Sequence, residues 1–218
     1  MNKRPVIGAI IKSSRFGLRV GIPDVREIKV ELVRKSIHFL IALCPVMAAV
    51  DRTVTVGLLM IGTLGYAVME TLRLRGIAVP VISFLTNMAS RPRDMDRFVL
   101  GPVTLGLGAL VSLLLYPAPA ASIAIYALAF GDGFASLIGK LFGRRHPAFL
   151  GDKSLEGSLA CFMAIFISAY GVFPNYRVAF WAALTGTLVE ALPLGDYDNI
   201  ALPVTVGFIV QITAHHAL

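Results

Sequence analysis

After residue 35 the chain is a succession of long apolar runs separated by short polar breaks. A helix needs about 20 mostly apolar residues to cross the hydrocarbon of a bilayer. Residues 33–50, 53–70, 98–116, 119–141, 155–173, 177–194 and 200–217 meet that description. The pattern predicts an all-α, polytopic transmembrane helical bundle of seven spans. The breaks carry residues that end helices or start turns, as in Tyr116-Pro117-Ala118-Pro119, Phe173-Pro174-Asn175 and Gly195-Asp196-Tyr197-Asp198-Asn199. Gly21-Ile22-Pro23-Asp24 suits a helix start, with Pro in the first turn and Asp at the positive end, so a basic amphipathic lead-in is expected to run into the first span. The run from Ile77 to Met88 is too short to span and is expected to lie at the interface or re-enter.

The distribution of cations adds an orientation. Residues 1–35 hold nine Lys and Arg, the 71–97 loop five (Arg73, Arg75, Arg91, Arg93, Arg97) and the 140–154 loop four (Lys140, Arg144, Arg145, Lys153). Only Arg52 and Arg177 fall on the other side, so 18 of the 20 share one face. The positive-inside rule makes that face cytoplasmic, with the N-terminus in and the C-terminus out. One span more or fewer would scatter the charges, which supports the count of seven. Residues 1–30 form a basic cytoplasmic or interfacial segment, and residues 31–218 one integral membrane domain.

Composition agrees: 56% of the 218 residues are hydrophobic and 15% charged, too apolar for an ordinary soluble domain. In lipid, a net charge of +7 reports orientation and contact with anionic head groups rather than nucleic acid. Cys44 and Cys161 sit inside apolar runs and read as small hydrophobes. The apolar stretch Val6 to Ile11 is brief for a signal-peptide core, so the segment is expected to be retained. Oligomeric state is not legible.

Acids in or beside spans are costly in hydrocarbon, so each is a functional candidate. Glu31, Glu70, Asp132, Glu156 and Glu190 all fall toward the cytoplasmic ends of their helices. Asp132 lies eight residues before Lys140, roughly 12 Å along a helix, and is the deepest. Gly131 and Gly133 beside it leave room for a ligand or a neighbouring backbone. Glu31, Arg34 and His38 share a helix face with Lys35 beside it, suiting either a head group or phosphate, or an interfacial ion-pair ladder. Glu70 and Arg73 divide in the same way between an ion pair and a contribution to a site. Asp152 or Ser154 would cap the fifth span, and a helix start near Lys and Gly offers donors to a phosphate. Trp181 reads as an anchor at the outer interface, and His215 and His216 lie remote from the acids.

Phe130-Gly131-Asp132-Gly133-Phe134-Ala135-Ser136 together with Lys153-Ser154-Leu155-Glu156-Gly157-Ser158 resembles the signature of the polyprenol kinase family, which includes dolichol kinase, phytol kinase and the CTP-dependent diacylglycerol kinase of fungi. Glu31-Leu32-Val33-Arg34-Lys35-Ser36-Ile37-His38 is similar to that family's first-helix pattern, and Val189-Glu190-Ala191 with Asp198, Asn199 and Pro203 to its last cytoplasmic loop. The similarity extends from about residue 27 to the C-terminus. It implies phosphoryl transfer from CTP, with Mg2+ or another divalent cation, to the hydroxyl of a lipid alcohol at the cytoplasmic face. The polyprenol or dolichol, phytol and diacylglycerol types of acceptor stay open.

Phosphoryl transfer asks for metal-holding carboxylates, cations on the phosphates and a positioned hydroxyl. Asp132, Glu190 and Lys153 are the expected catalytic set. Lys153, Ser154, Gly157 and Ser158 are expected at the nucleotide phosphates, with Lys140 or Arg144 assisting. Asp132 and Glu190 lead as metal ligands, Asp132 being alternatively the general base; Glu156 and Asp198 follow, and Asn199 would position a substrate oxygen. Glu31, Arg34, Lys35 and His38 are expected near the head group. Phosphatidate cytidylyltransferase carries a similar Lys-x-x-Glu-Gly element, but its downstream Gly-His-Gly-Gly and Asp-Arg-x-Asp clusters have no counterpart here. A non-enzymatic transporter would also gather inward acids, although no internal repeat is visible.

Overall fold

A computed structural model describes residues 17–18, 25–77, 79–80, 97–147, 150–151 and 153–215. The expected N-terminal tail and Gly21–Asp24 lead-in, most of the Ile77–Met88 stretch, and Arg91, Arg93, Asp152 and His216 lie outside the described residues. The described chain is helical apart from one short antiparallel pairing of Gly17–Leu18 with Arg145–His146.

The helices are α1 (Val25–Leu40), α2 (Leu43–Val50), α3 (Arg52–Leu74), α4 (Gly101–Leu115), α5 (Ala120–Tyr126), α6 (Gly133–Phe142), α7 (Leu155–Val172), α8 (Tyr176–Ala191) and α9 (Asp198–His215). A π-helical segment, Ala127–Asp132, joins α5 to α6. These elements group into seven rods that match the seven apolar runs, with one difference. The first rod starts at Val25, as a lead-in running into the first span requires, but it breaks at Ile41–Ala42 into α1 and α2. Charged positions extend α1 because Glu31, Lys35 and His38 are turned into the protein, where other elements supply partners.

Four stretches are long and apolar enough to cross a membrane: Ile28–Val50, Arg52–Leu74, Ala120–Phe142 and Leu155–Val172. Gly101–Leu115 is a shorter apolar helix. Many large aliphatic side chains face outward, and alanines fill much of the interior beside Ile123, Leu128, Ile165 and Leu202. Leu58, Ile61, Leu64, Leu159, Ile167 and Leu188 face outward, whereas Ala120, Ala121, Ala124, Ala127, Ala179 and Ala182 are buried. Lipid tails are as apolar as Leu, so burial of Leu gains little in a bilayer and small residues let backbones approach.

The α5–π–α6 rod is the centre, with α1, α7, α8 and α9 packed around it. The neighbours run on as α6 against α7, α7 against α8, α8 against α9, α9 against α4 and α4 against α3. Close crossings explain several glycines. A Cβ on Gly157 would stand 2.7 Å from the Ala135 carbonyl oxygen and 3.2 Å from the Gly139 Cα, so α6 and α7 meet almost backbone to backbone. Pro203 lacks the N–H that would bond the Asn199 carbonyl within α9, and a Cβ on Gly108 of α4 would collide with that oxygen.

Side chains close the helix ends. Asp51 accepts from Val54 N (2.9 Å), Ser154 from Gly157 N (3.1 Å) and Asn175 from Arg177 N (3.0 Å), each satisfying an N–H that the first turn leaves open. Gly195 adopts φ +65° in the turn before α9, a conformation that side chains with a Cβ disfavour. At the opposite end of the bundle Arg52 donates to the carbonyls of Leu113 and Tyr116, which end α4. Trp181 is half exposed there on α8, and His215 is exposed at the end of α9.

Candidate functional site

One buried polar cluster gathers the ends of five rods. Asp132, the last residue of the π-helical segment, is buried and pairs through Oδ2 with the Lys35 ammonium of α1, a side chain with no exposure to solvent. His38 Nδ1, one turn along α1, lies 3.2 Å from the same oxygen. Glu31, one turn the other way, holds Arg34 through Oε1 (2.5 Å) and Lys140 of α6 through Oε2 (2.8 Å). The first-helix residues therefore form a ladder, but one directed into the protein and across to the central rod.

The second half of the cluster comes from the C-terminal hairpins. Lys153, just before α7, pairs with Glu190 Oε1 near the end of α8 at 3.0 Å. Glu190 Oε2 is buried with no hydrogen-bond partner. Glu190 lies within electrostatic range of Asp132 and Lys35, and Asp198, the first residue of α9, within range of Asp132, Lys153, Lys35 and Arg34. Four carboxylates (Glu31, Asp132, Glu190 and Asp198) and four cations (Arg34, Lys35, Lys140 and Lys153) thus share one low-dielectric region, where an unpaired charge is costly and a ligand of complementary charge is held strongly.

Other expected site residues have structural partners. Glu156 accepts through Oε2 from the backbone N–H groups of Arg144 (3.2 Å) and Arg145 (3.3 Å), tying the loop after α6 to α7. Asn199 is buried and donates to Thr104 Oγ1 (2.9 Å) and Gly101 O (3.4 Å), joining α9 to α4. Ser154 caps α7 and Gly157 packs on α6, so both shape the turn that carries Lys153. The room beside Gly131 and Gly133 is taken by Ile165 and Phe39, since a Cβ would meet those side chains at 2.8 and 2.6 Å. Glu70 is engaged by Arg73 at 2.7 and 2.8 Å and by Val99 N at 3.0 Å, fastening the end of α3 to the segment before α4.

A divalent cation was expected here. Among the described residues no three His, Cys, Asp or Glu side chains are close enough to enclose one. Magnesium is commonly held by one or two carboxylates together with substrate phosphates. Asp132, Glu190 and Asp198 are hard oxygen donors of that kind, and Glu190 Oε2 has capacity to spare, so the residues fit an ion shared with a nucleotide.

Two features were not expected from the sequence. The first is the π-helical widening of the central rod directly before Asp132; such insertions occur often at functional sites. Its only sequence signal is Gly131-Asp132-Gly133, which reads equally well as a packing motif. The second is a set of hydroxyls below Glu190. Ser158 Oγ is buried without a partner, and Thr187 Oγ1 has none beyond a contact with the weakly accepting Cys161 sulfur. Thr187 stands three residues before Glu190, a spacing that places both on one face of a helix.

No protein-family model and no solved structure matches the chain. Similar proteins include “Probable phytol kinase 1, chloroplastic” of Glycine max, 27% identical over 66% of this chain and 54% of its own. Phytol kinase 1 of Arabidopsis thaliana is 26% identical over 60% of this chain and 49% of its own. The dolichol kinase of Schizosaccharomyces pombe is 28% identical over 64% of this chain and 30% of its own. The chain spans about half the length of the plant relatives and less of the yeast one.

Proposed function

We infer from distant homology to the phytol kinases and dolichol kinase, the polyprenol kinase family, that this chain is a membrane kinase that phosphorylates a lipid alcohol with CTP. The observation that carries the reading is the convergence of Asp132, Glu190 and Asp198 with Arg34, Lys35, Lys140 and Lys153 at one end of the bundle, with one oxygen of Glu190 left open. A soluble triphosphate and a bilayer-resident hydroxyl can meet only near an interface, and a basic cluster at helix ends serves that meeting.

In this reading the seven rods span the bilayer with the N-terminus in, the C-terminus out and the cluster facing the cytoplasm. Lys153 and Lys140 bind the phosphates with help from Arg144, and the Ser154–Ser158 turn holds Lys153 in place. Lys35 and His38 orient Asp132. A divalent cation held by Asp132 and Asp198 together with the phosphates would neutralise charge on the phosphate oxygens, leaving Glu190 Oε2 free. The alcohol oxygen bonds to the γ-phosphorus as the bond from that phosphorus to the β–γ bridging oxygen breaks, releasing CDP. The hydroxyl proton passes to a carboxylate, for which Glu190 Oε2 is the available acceptor.

The test is transfer by the purified protein in mixed micelles with magnesium and several lipid alcohols, using CTP labelled separately on its γ- and α-phosphates. Entry of γ-label into a lipid, lost in Asp132→Asn and Lys153→Ala, is the expected result and identifies the preferred acceptor. Entry of α-label into phosphatidate would make the protein a cytidylyltransferase, and no transfer by folded protein would remove the catalytic reading.

A further inference from the structure

We propose that the flank of the α7–α8 pair is the acceptor's binding track, with the alcohol hydroxyl seated between Ser158, Thr187 and Glu190 and the tail lying along the aromatic row beside them. The proposal rests on the kinase reading and adds to it a location and three binding residues, Thr187, Phe162 and Phe180.

The head of the track is defined by three unsatisfied atoms. Cys161 of α7 touches Thr187 of α8. The two helices are joined by a short turn and run antiparallel, so one turn back along α7 and one turn on along α8 bring Ser158 level with Glu190. Ser158 Oγ, Thr187 Oγ1 and Glu190 Oε2 are all buried and lack ordinary hydrogen-bond partners. Buried polar groups are rarely left so, and two donors that can also accept, beside a carboxylate that accepts, match what one hydroxyl offers. The Lys153 ammonium on Glu190 Oε1 sets these three atoms beside the cations assigned above to the phosphates.

The tail's path follows from spacing on the same two helices. Phe162 and Phe166 continue from Ser158 in steps of four, as does Tyr170, and their rings stack successively at 6.1 and 6.4 Å between centroids. Phe180 lies seven residues, two turns, before Thr187 and so on the same face of α8. It meets Phe162 edge-on at 5.9 Å, with Trp181 beside it at 5.7 Å. Phe180, Trp181 and Tyr170 are between 44% and 49% exposed, so the outer part of the row is open to lipid, while Phe162 and Phe166 are half-buried against the core. A chain lying there would reach the hydroxyl pocket without crossing the bundle. Plain lipid contact accounts for exposed rings, but not for unpartnered hydroxyls at their inner end.

The experiment uses the full-length protein in micelles and a long-chain alcohol carrying a photoactivatable diazirine on its tail. Labelling should map to α7 and α8 around Phe162 and Phe180, and should be displaced by excess unlabelled alcohol but not by the alkane of equal length. Thr187→Val should fold as the parent does, raise the KM for the lipid alcohol about tenfold, the loss of roughly one hydrogen bond, and leave the KM for CTP unchanged. Label on α2, α3 or α4, equal displacement by the alkane, or an unchanged alcohol KM in Thr187→Val overturns the track. If displaceable label maps to the flank while the parent protein transfers no phosphate, the track stands as a lipid-alcohol site and the kinase reading is what fails.

Discussion

Replacing Lys35 by Met isolates the interaction on which the geometry of Asp132 depends. The ammonium is fully buried and pairs with a carboxylate that is itself buried, leaving Asp132 with His38 and the more distant charge of Arg34 among the described residues once the partner is gone. Removing one member of a buried pair costs about 3–5 kcal/mol, because a charge is left without compensation. For a chain of this size each kcal/mol moves the unfolding midpoint by about 2–4 °C, so Lys35→Met should unfold roughly 10 °C lower in detergent. Lys35→Met combined with Asp132→Leu removes both charges and fills the space with apolar atoms. Such replacements are often neutral or better, so the double variant should recover most of the lost stability while remaining inactive. The measurement is a thermal-unfolding cycle of the parent, both single variants and the double variant. Independent, additive losses, or a Lys35→Met midpoint within a degree or two of the parent, would show that the two charges are not coupled and that α1 is not part of the site.

Gly157→Ala should destabilise by about 1–3 kcal/mol through overpacking, since its Cβ would press on the Ala135 carbonyl, whereas Gly171→Ala, with open space around it, should be neutral; paired melting curves decide this. Glu70→Gln weakens the tie to Arg73 and Val99 and should cost about 1–3 kcal/mol of stability while the KM for CTP stays constant, because Glu70 is a joint between α3 and α4 rather than a site residue; a changed nucleotide KM would contradict that role. Chelation of divalent cations should abolish phosphate transfer and added magnesium restore it, with no change in the melting temperature of nucleotide-free protein; persistence of transfer in excess chelator would exclude Asp132 and Asp198 as metal ligands.

The helical class and the seven rods could be read from the chain because runs of about 20 apolar residues punctuated by Pro, Gly and Asn have few other physical solutions. The charges that gather in the cluster were equally legible: Asp132, Glu190, Lys153, Lys35 and Glu31 are charges in or beside apolar runs, where each demands a partner. Which partner each takes was not. Lys35 and Asp132 are 97 residues apart, and only the packing of α1 on the central rod brings them together. Glu156, Gly157 and Asn199 stand in or beside the same motifs, yet their side-chain environments turn them to loop anchoring and helix packing. The π-helical turn ending at Asp132 depends on how the rod is gripped by its neighbours, and Thr187 looks like any helical threonine until its hydroxyl is found buried with no partner beyond the Cys161 sulfur. One-dimensional pattern determines where a chain must be apolar and where charge is costly; the pairing of buried charges is a long-range property that only the tertiary structure decides.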